Sequence, residues 1–107
     1  MVERTQKELI TLKGKIIRGP ISKIAENGKP YSYVRLRVEE AEKDGQRAEV
    51  QPEMTIMFWK DNPKLKEMES TIENLKEEQF ITIYGYVIGD GGLFHADEIE
   101  TDESIFV

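Results

Sequence analysis

Apolar and polar residues alternate with a period of two over five stretches of the chain, and this pattern is typical of half-buried β-strands. In the first stretch, Ile10, Leu12 and Ile16 share one face, while Lys13 and Lys15 share the other. The predicted strands are Leu9–Arg18, Tyr31–Val38, Met54–Trp59, Phe80–Ile88 and Leu93–Ile99. The alternation therefore predicts a mainly β protein with a single apolar interior.

Glycine, proline and polar residues separate these strands. Gly19-Pro20 is predicted to interrupt the first strand, and Asn27-Gly28-Lys29-Pro30 is a strong turn signal. The polar segment Glu39–Gln51, with Asp44-Gly45 at its centre, predicts an exposed hairpin loop. Gly89-Asp90-Gly91-Gly92 predicts the last hairpin turn.

One helix is predicted between the third and fourth strands. Asn62 suits the N-cap and Pro63 the first helical position. An amphipathic stripe follows, formed by Leu65, Met68, Ile72 and Leu75.

The order strand-strand-strand-helix-strand-strand predicts a five-stranded OB-fold β-barrel with its helix between strands three and four. Gly14 and Gly85, each inside a strand, fit the sharp bends of such a barrel. A small β-sandwich is the alternative, and a parallel α/β sheet is disfavoured because only one helix could cross over.

The length of 107 residues predicts one domain, residues 1–107, with 100–107 as a short acidic tail. No apolar run approaches the roughly 18 residues that span a membrane, and the N-terminus lacks the pattern of a signal peptide. Cysteine is absent, which excludes disulfides, thiolate nucleophiles and Cys-ligated zinc. We expect a cytoplasmic, nucleoid-associated protein.

Charge is distributed unevenly along the chain. The net charge is −6, which argues against indiscriminate binding of polyanions. Residues 1–66, however, hold 14 Lys and Arg against 10 Asp and Glu, whereas residues 67–107 hold one against 11. One side of the fold can therefore be basic despite the acidic total.

Catalytic chemistry is not indicated. His95 is the single histidine and is interpreted as a surface residue. The acidic residues show no spacing that pairs two of them for acid–base catalysis, and Gly89–Gly92 precedes no helix that could cradle a phosphate. We expect no enzyme activity, no cofactor and no metal.

The outward faces of the strands interleave cations with flat rings, as single-stranded nucleic acid requires: cations follow phosphates and rings stack on unpaired bases. The candidate nucleic-acid-binding residues are Lys13, Lys15, Arg18, Tyr33, Arg35, Arg37, Met57, Trp59, Tyr84 and Tyr86. Ordinary roles remain open for them: Trp59 could cap the barrel end, the two late tyrosines could face a dimer partner, and Arg35 and Arg37 could pair with Glu39 or Glu49. Their placement on one sheet face depends on the register.

Several segments between about residues 9 and 99 match the motifs of one known protein family in their order and spacing. They are Leu12-Lys-Gly-Lys-Ile-Ile-Arg-Gly-Pro20, Glu26-Asn-Gly-Lys-Pro30, Tyr33-Val-Arg-Leu-Arg-Val38, Ile56-Met-Phe-Trp-Lys60, Leu75-Lys-Glu-Glu-Gln-Phe-Ile-Thr-Ile-Tyr-Gly-Tyr-Val87 and Ala96-Asp-Glu-Ile99. On these segments the chain resembles the bacterial-type single-stranded DNA-binding protein (SSB) family.

The resemblance implies an OB-fold and roles for particular residues. Trp59 falls where the family ends its third strand with a base-stacking aromatic residue. Lys13 and Lys15 fall on the binding face of the first strand, and Arg35 and Arg37 on that of the second. Tyr84 and Tyr86 fall on the outward face of the fourth strand, whose role in the family is less uniform. Two departures are Gly19-Pro20 in place of Asp-Pro and Lys60-Asp61 in place of Gly-Lys. The end, Glu100-Thr-Asp-Glu-Ser-Ile-Phe-Val107, resembles the family's acidic tip without its proline or linker, so it could be a partner-recruiting tip or a last turn packed on the barrel.

The leading hypothesis is non-catalytic, sequence-tolerant binding and coating of single-stranded DNA in replication, recombination and repair. The protein is expected to be a homo-oligomer, a dimer or tetramer, with replication or repair proteins as further partners through the acidic C-terminus and no membrane partner. The alternative is an OB-fold adaptor in a replication complex, similar to primosomal replication protein B, with weak or no DNA binding. The third hypothesis is an RNA-binding protein of the cold-shock kind.

Overall fold

The computed structural model describes residues 9–89 and 92–101 of the chain and contains six β-strands and two short α-helices. In chain order they are β1 Ile10–Ile24, β2 Pro30–Lys43, β3 Gln46–Arg47, β4 Glu53–Trp59, α1 Pro63–Lys66, α2 Glu69–Glu73, β5 Phe80–Ile88 and β6 Leu93–Thr101. In the described residues, none of the helices has the length and apolar character needed to cross a membrane.

Five of the strands close into a ring. The sheet order is β1-β5-β6-β4-β2, and β1 also pairs with β2, so the two ends of the sheet meet. The β4–β6 pairing is parallel and the other ring pairings are antiparallel. With the helical segment between the third and fourth ring strands, this arrangement is the predicted OB-fold barrel.

The core lies inside the ring and is formed by the residues that the alternation placed inward. Phe58 and Phe94 are its largest fully buried side chains. Leu65, Ile72 and Leu75 from the helical segment are also buried, and Met68 packs against the core. The predicted apolar stripe is therefore confirmed.

The helical segment differs from the prediction in being two helices, α1 and α2, with a break at Glu67 and Met68. Segments this short gain little from helix propensity, so the burial of Leu65 and Ile72 determines the path of the backbone. The predicted start is confirmed: the Asn62 side chain accepts a hydrogen bond of 2.9 Å from the Lys64 backbone N–H, and Pro63 is the first helical residue.

Gly14 and Gly85 lie where neighbouring strands come close together. A Cβ at Gly14 would collide with the carbonyl oxygen of Arg37, and one at Gly85 would collide with that of His95. Both positions adjoin a shift in the pairing register. The prediction that these glycines mark bends of the barrel is confirmed.

The prediction that Gly19-Pro20 interrupts the first strand is wrong. β1 continues to Ile24, which pairs with Pro30 of β2. Register shifts on either side of Arg18 accommodate the irregular residues, and Gly19 has a φ of +100° that only glycine adopts readily.

The polar segment Glu39–Gln51 is a hairpin, as predicted, but more of it is strand than predicted. β2 extends to Lys43 and pairs with β3 through a tight turn at Asp44-Gly45. The φ angles of these two residues are 56° and 81°, which suit a two-residue hairpin turn. The segment is polar because most of it is exposed.

The last strand also extends beyond its predicted end. Glu100 and Thr101 pair with Thr82 and Ile81 of β5, so the first two residues of the predicted tail belong to the barrel. The remaining tail, 102–107, lies outside the described residues, as do Asp90 and Gly91 of the predicted turn.

Candidate nucleic-acid interface

Outward side chains of β1, β2 and β4 form cross-strand rows, because residues opposite one another in neighbouring strands lie side by side. The rows, each read from β1 through β2 to β4, are Lys23–Tyr31–Trp59, Ile21–Tyr33–Met57, Arg18–Arg35–Thr55 and Lys15–Arg37–Glu53. We call the surface formed by these twelve residues the β1–β2–β4 face. It is aromatic at one end and rich in arginine towards the other.

Three rings form an aromatic cluster on this face. The ring centroids of Tyr31 and Trp59 are 4.9 Å apart with the planes tilted by 44°. Those of Tyr31 and Tyr33 are 6.3 Å apart, with a tilt of 33°. All three side chains are partly exposed. A cluster of tilted, partly exposed rings can accept stacked bases on its open surfaces.

Two arginines of β2 share one carboxylate of β4. Arg35 Nη2 lies 3.3 Å from Glu53 Oε1, and Arg37 Nη2 lies 3.6 Å from Glu53 Oε2. Arg35 Nη1 also donates a hydrogen bond of 2.9 Å to Thr55 Oγ1. Both guanidiniums therefore stay on the outer surface of the sheet, and Glu53 rather than the predicted Glu39 or Glu49 is their acidic partner.

Lysines extend the basic character to the edges of the face. Lys15 Nζ lies 3.7 Å from Glu78 Oε1, and Lys29 Nζ lies 3.3 Å from Asp61 Oδ2, with all four side chains at least 41% exposed. Arg18 is exposed as well. Ion pairs this exposed are weak, so a phosphate can compete for these cations.

The row Ile21–Tyr33–Met57 continues through β6 to β5 by way of His95 and Tyr86. The rings of Tyr86 and His95 are stacked, with centroids 4.6 Å apart and planes 16° from parallel. His95 Nε2 lies 3.4 Å from Asp97 Oδ1, which also accepts a hydrogen bond of 3.2 Å from Asn62 Nδ2. The histidine side chain is only 20% exposed, so it is less of a surface residue than the sequence suggested.

A second group of cross-strand rows is acidic, in contrast to the basic β1–β2–β4 face. Near the start of β1, the rows are Glu40–Lys13–Thr82–Glu100 and Glu42–Thr11–Tyr84–Glu98. We call these eight residues the acidic flank. The Tyr84 hydroxyl donates a hydrogen bond of 3.1 Å to Glu100 Oε1. Partial burial, this hydrogen bond and the charges of Glu100 and Glu98 all raise the pKa of Tyr84.

The structure thus divides the ten residues predicted from sequence. Those on the β1–β2–β4 face are Lys15, Arg18, Tyr33, Arg35, Arg37, Met57 and Trp59, and Tyr86 is reached from it through His95. Lys13 and Tyr84 lie on the acidic flank instead. The expectation of one shared sheet face does not hold for these two. Lys13 lies near the start of β1 and Tyr84 pairs with that part of the strand, whereas the aromatic cluster lies beside the other end of β1.

Five residues of the face were not among the predicted ones: Ile21, Lys23, Tyr31, Glu53 and Thr55. Tyr31 precedes Tyr33 by two residues, so the alternation itself could have placed it on the same face. Glu53 stands one residue before the predicted third strand, and only the β2–β4 register reveals that it is opposite Arg37.

A groove of about 550 Å³ runs beside the β2–β3 hairpin. Its lining holds Glu39, Glu40, Glu42 and Glu49 against one cation, Arg47, so its net charge would repel phosphate. Among residues 9–89 and 92–101, no group of three or more acidic or histidine side chains could hold a metal ion.

Comparison with known proteins yields matches in structure. No protein-family model and no curated protein sequence matches the chain. The mitochondrial single-stranded DNA-binding protein Rim1 from S. cerevisiae is 12% identical with a TM-score of 0.62, and the match covers 91% of this chain and 96% of Rim1. A small single-stranded DNA-binding protein from Streptomyces coelicolor is 18% identical with a TM-score of 0.60, covering 94% and 98%.

PriB from Ralstonia solanacearum is also similar, at 12% identity and a TM-score of 0.54, with 88% of this chain and 97% of PriB covered. These similarities cover nearly the whole of each chain, although the sequences have diverged far. The chain therefore has an OB-fold of the kind found in single-stranded DNA-binding proteins.

Proposed function

We propose that the protein binds and coats single-stranded DNA without catalysis and with little sequence preference. The observation that carries this proposal is the aromatic cluster of Tyr31, Tyr33 and Trp59 lying in rows beside Arg35 and Arg37 on one face. OB-folds use the face of their second and third strands to bind oligonucleotides. In this chain those strands are β2 and β4.

The aromatic end and the arginine-rich end of the face have different roles in this proposal. Stacking on the aromatic cluster holds bases regardless of their identity, at about 1–3 kcal/mol per base. Arg18, Arg35 and Arg37 then neutralise phosphates of the same strand. Duplex DNA suits the face less well, since its bases are already stacked and its major groove is read by a longer helix than α1 or α2.

The cellular process, the localisation, the oligomeric state and the partner proteins belong to the same proposal. We place the protein in replication, recombination or repair in the cytoplasm, as a homo-oligomer whose acidic C-terminus contacts other replication or repair proteins. The fold shared with two single-stranded DNA-binding proteins supports the general role.

A protein adaptor is the second candidate, and the acidic flank favours it. Glu40, Glu42, Glu98 and Glu100 form a surface that repels nucleic acid and suits a basic partner protein. An adaptor would bind such a partner and show no affinity for single strands.

The single tryptophan, Trp59, allows a direct test. Oligo-dT is titrated into the protein at low and at moderate salt, and Trp59 fluorescence is followed. We expect saturable quenching that weakens as salt rises, because a base stacks near the indole while cations hold phosphates. If neither quenching nor binding by an independent probe is found at low salt, the adaptor replaces the DNA-binding proposal. A parallel titration with oligo-U shows whether RNA is preferred.

A further inference from the structure

Glu53 lies among the cations of the β1–β2–β4 face. It stands directly opposite Arg37 in the β2–β4 register, and each of its carboxylate oxygens faces a different guanidinium. Its side chain is 42% exposed, and those of Arg35 and Arg37 are 36% and 59% exposed. The three groups therefore meet at the surface, where the proposed function puts a phosphate of the bound strand.

A carboxylate and a phosphate compete for the same donors. Each is an anion that accepts hydrogen bonds from the forked guanidinium group. An arginine that turns to a phosphate gives up part of its pairing with Glu53, and the carboxylate then lies close to a second negative charge. Both effects oppose binding.

We propose that Glu53 acts as a built-in competitor for phosphate, which pairs with Arg35 and Arg37 when no DNA is bound and lowers the affinity for single strands. This inference rests on the proposed DNA-binding function and names a residue that regulates the same site. The consequence is a face that releases its strand more easily than its cations alone would allow.

A purely positioning role makes the opposite prediction. If Glu53 served to hold the arginines ready for phosphate, its removal would weaken binding. The hydrogen bond from Arg35 Nη1 to Thr55 Oγ1 does not involve Glu53 and holds the Arg35 side chain against β4 without it. The position of the Arg35 side chain therefore does not depend on the carboxylate alone.

The test is Glu53→Gln, which keeps an oxygen acceptor and the size of the side chain while removing the charge. Binding of oligo-dT is measured by fluorescence anisotropy of a labelled strand from low to moderate salt. We expect binding to tighten by about three- to tenfold at low salt, since each exposed ion pair given up is worth at most about a factor of five. The plot of log affinity against log salt should steepen by about 0.7, as one more charge is neutralised on the strand.

Glu98→Gln on the acidic flank is the matched control, because it changes the net charge equally but lies away from the arginines. Thermal unfolding confirms that both variants are folded. A larger gain for Glu53→Gln than for Glu98→Gln supports the proposal, and an equal gain, no gain or a loss overturns it. When Arg35→Gln and Arg37→Gln are already present, Glu53→Gln should raise the affinity for oligo-dT no more than the control does. A larger rise would show that Glu53 does not act through the two arginines, and would overturn the proposal.

The same measurements distinguish failure of the proposed DNA-binding function from failure of the competitor role of Glu53. If the wild-type protein and Glu53→Gln both fail to bind oligo-dT at low salt, the proposed function and this inference fall together. If the wild-type protein binds and Glu53→Gln gains nothing over the control, the function stands and the competitor role alone is wrong.

Discussion

Trp59 combines two properties at the scale of a single residue. It ends β4, whose inward residues are buried in the core, so its backbone is held firmly. Its ring remains partly exposed and contacts Tyr31 at a centroid distance of 4.9 Å. A ring that is both fixed and open loses little conformational entropy when a base stacks on it.

Trp59→Ala should weaken the binding of oligo-dT by about 1–3 kcal/mol, the worth of one base stacked on an aromatic ring. Anisotropy titration of a labelled strand measures the loss without using tryptophan fluorescence. Tyr84→Ala serves as the control, because it removes an aromatic ring from the acidic flank rather than from the β1–β2–β4 face. An equal loss in the two variants would contradict the assignment of the stacking site.

Tyr84 should titrate above its usual value of 10.0, because partial burial, its hydrogen bond to Glu100 and the charges of Glu100 and Glu98 raise its pKa. The group binds its proton more tightly in the folded state. Its contribution to stability is therefore complete below pH 10, and it is lost as the pH rises through the folded-state pKa.

The difference in absorbance at 295 nm between the wild-type protein and Tyr84→Phe isolates this titration. Glu100→Gln should move it to lower pH, and the stability advantage of the wild type over Tyr84→Phe should shrink above pH 10. A titration of Tyr84 at or below its usual pKa, or one that Glu100→Gln leaves in place, would argue against the contact.

At the scale of the elements, close approach of strands explains where glycine is needed. β1 pairs with both β2 and β5, and Gly14 lies at a register shift in the first of these pairings. At Gly85, the backbone of β6 leaves no room for a side chain. Each of the two glycines therefore allows the strands to approach closely at a shift in the pairing register, where a barrel bends.

Gly14→Ala and Gly85→Ala should each lower the free energy of unfolding by about 1–3 kcal/mol or more, because the added methyl group forces the strands apart. Urea unfolding followed by circular dichroism measures the loss. Gly92→Ala is the matched control: the nearest atom to its added Cβ is Gln51 Oε1 at 3.8 Å, an ordinary contact. Equal stability of all three variants would show that the bends tolerate a side chain.

At the scale of the whole molecule, the proposed binding of DNA depends more on where the charges lie than on the net charge of −6. The β1–β2–β4 face carries five basic residues and one acidic one, and the acidic flank carries four acidic residues and one lysine. At physiological salt, charges more than about 8 Å apart are largely screened. Under the proposed function, a bound strand would therefore respond mainly to the charges of the face that it contacts.

Arg37→Glu should weaken oligo-dT binding strongly and flatten its salt dependence, whereas Lys13→Glu should have a much smaller effect. Both substitutions change the net charge by two units, so only their positions differ. Affinity measured across a salt series separates the local effect from the global one. Equal losses would indicate that the overall charge, rather than the β1–β2–β4 face, governs binding.

Much of the fold follows from the sequence alone, for a local physical reason. A strand turns successive side chains to opposite sides, so the alternation separates Leu12, Val34 and Ile83 of the core from their outward neighbours. The cap at Asn62 depends on nearby backbone geometry in the same way. Gly14 and Gly85 can be recognised as glycines inside predicted strands, although the contacts that require them come from neighbouring strands. The residue types of the proposed single-strand binding site are likewise visible without coordinates.

The tertiary structure alone decided which outward residues are neighbours. Alternation says that a side chain points outward, but not which strand lies beside it or where on the barrel it falls. The pairing of β1 with β2 and β5 and the parallel β4–β6 contact determine that. The β5–β6 pairing places Tyr84 among carboxylates, and the β2–β4 pairing places Glu53 between two arginines, because strand pairing joins residues that are distant in sequence.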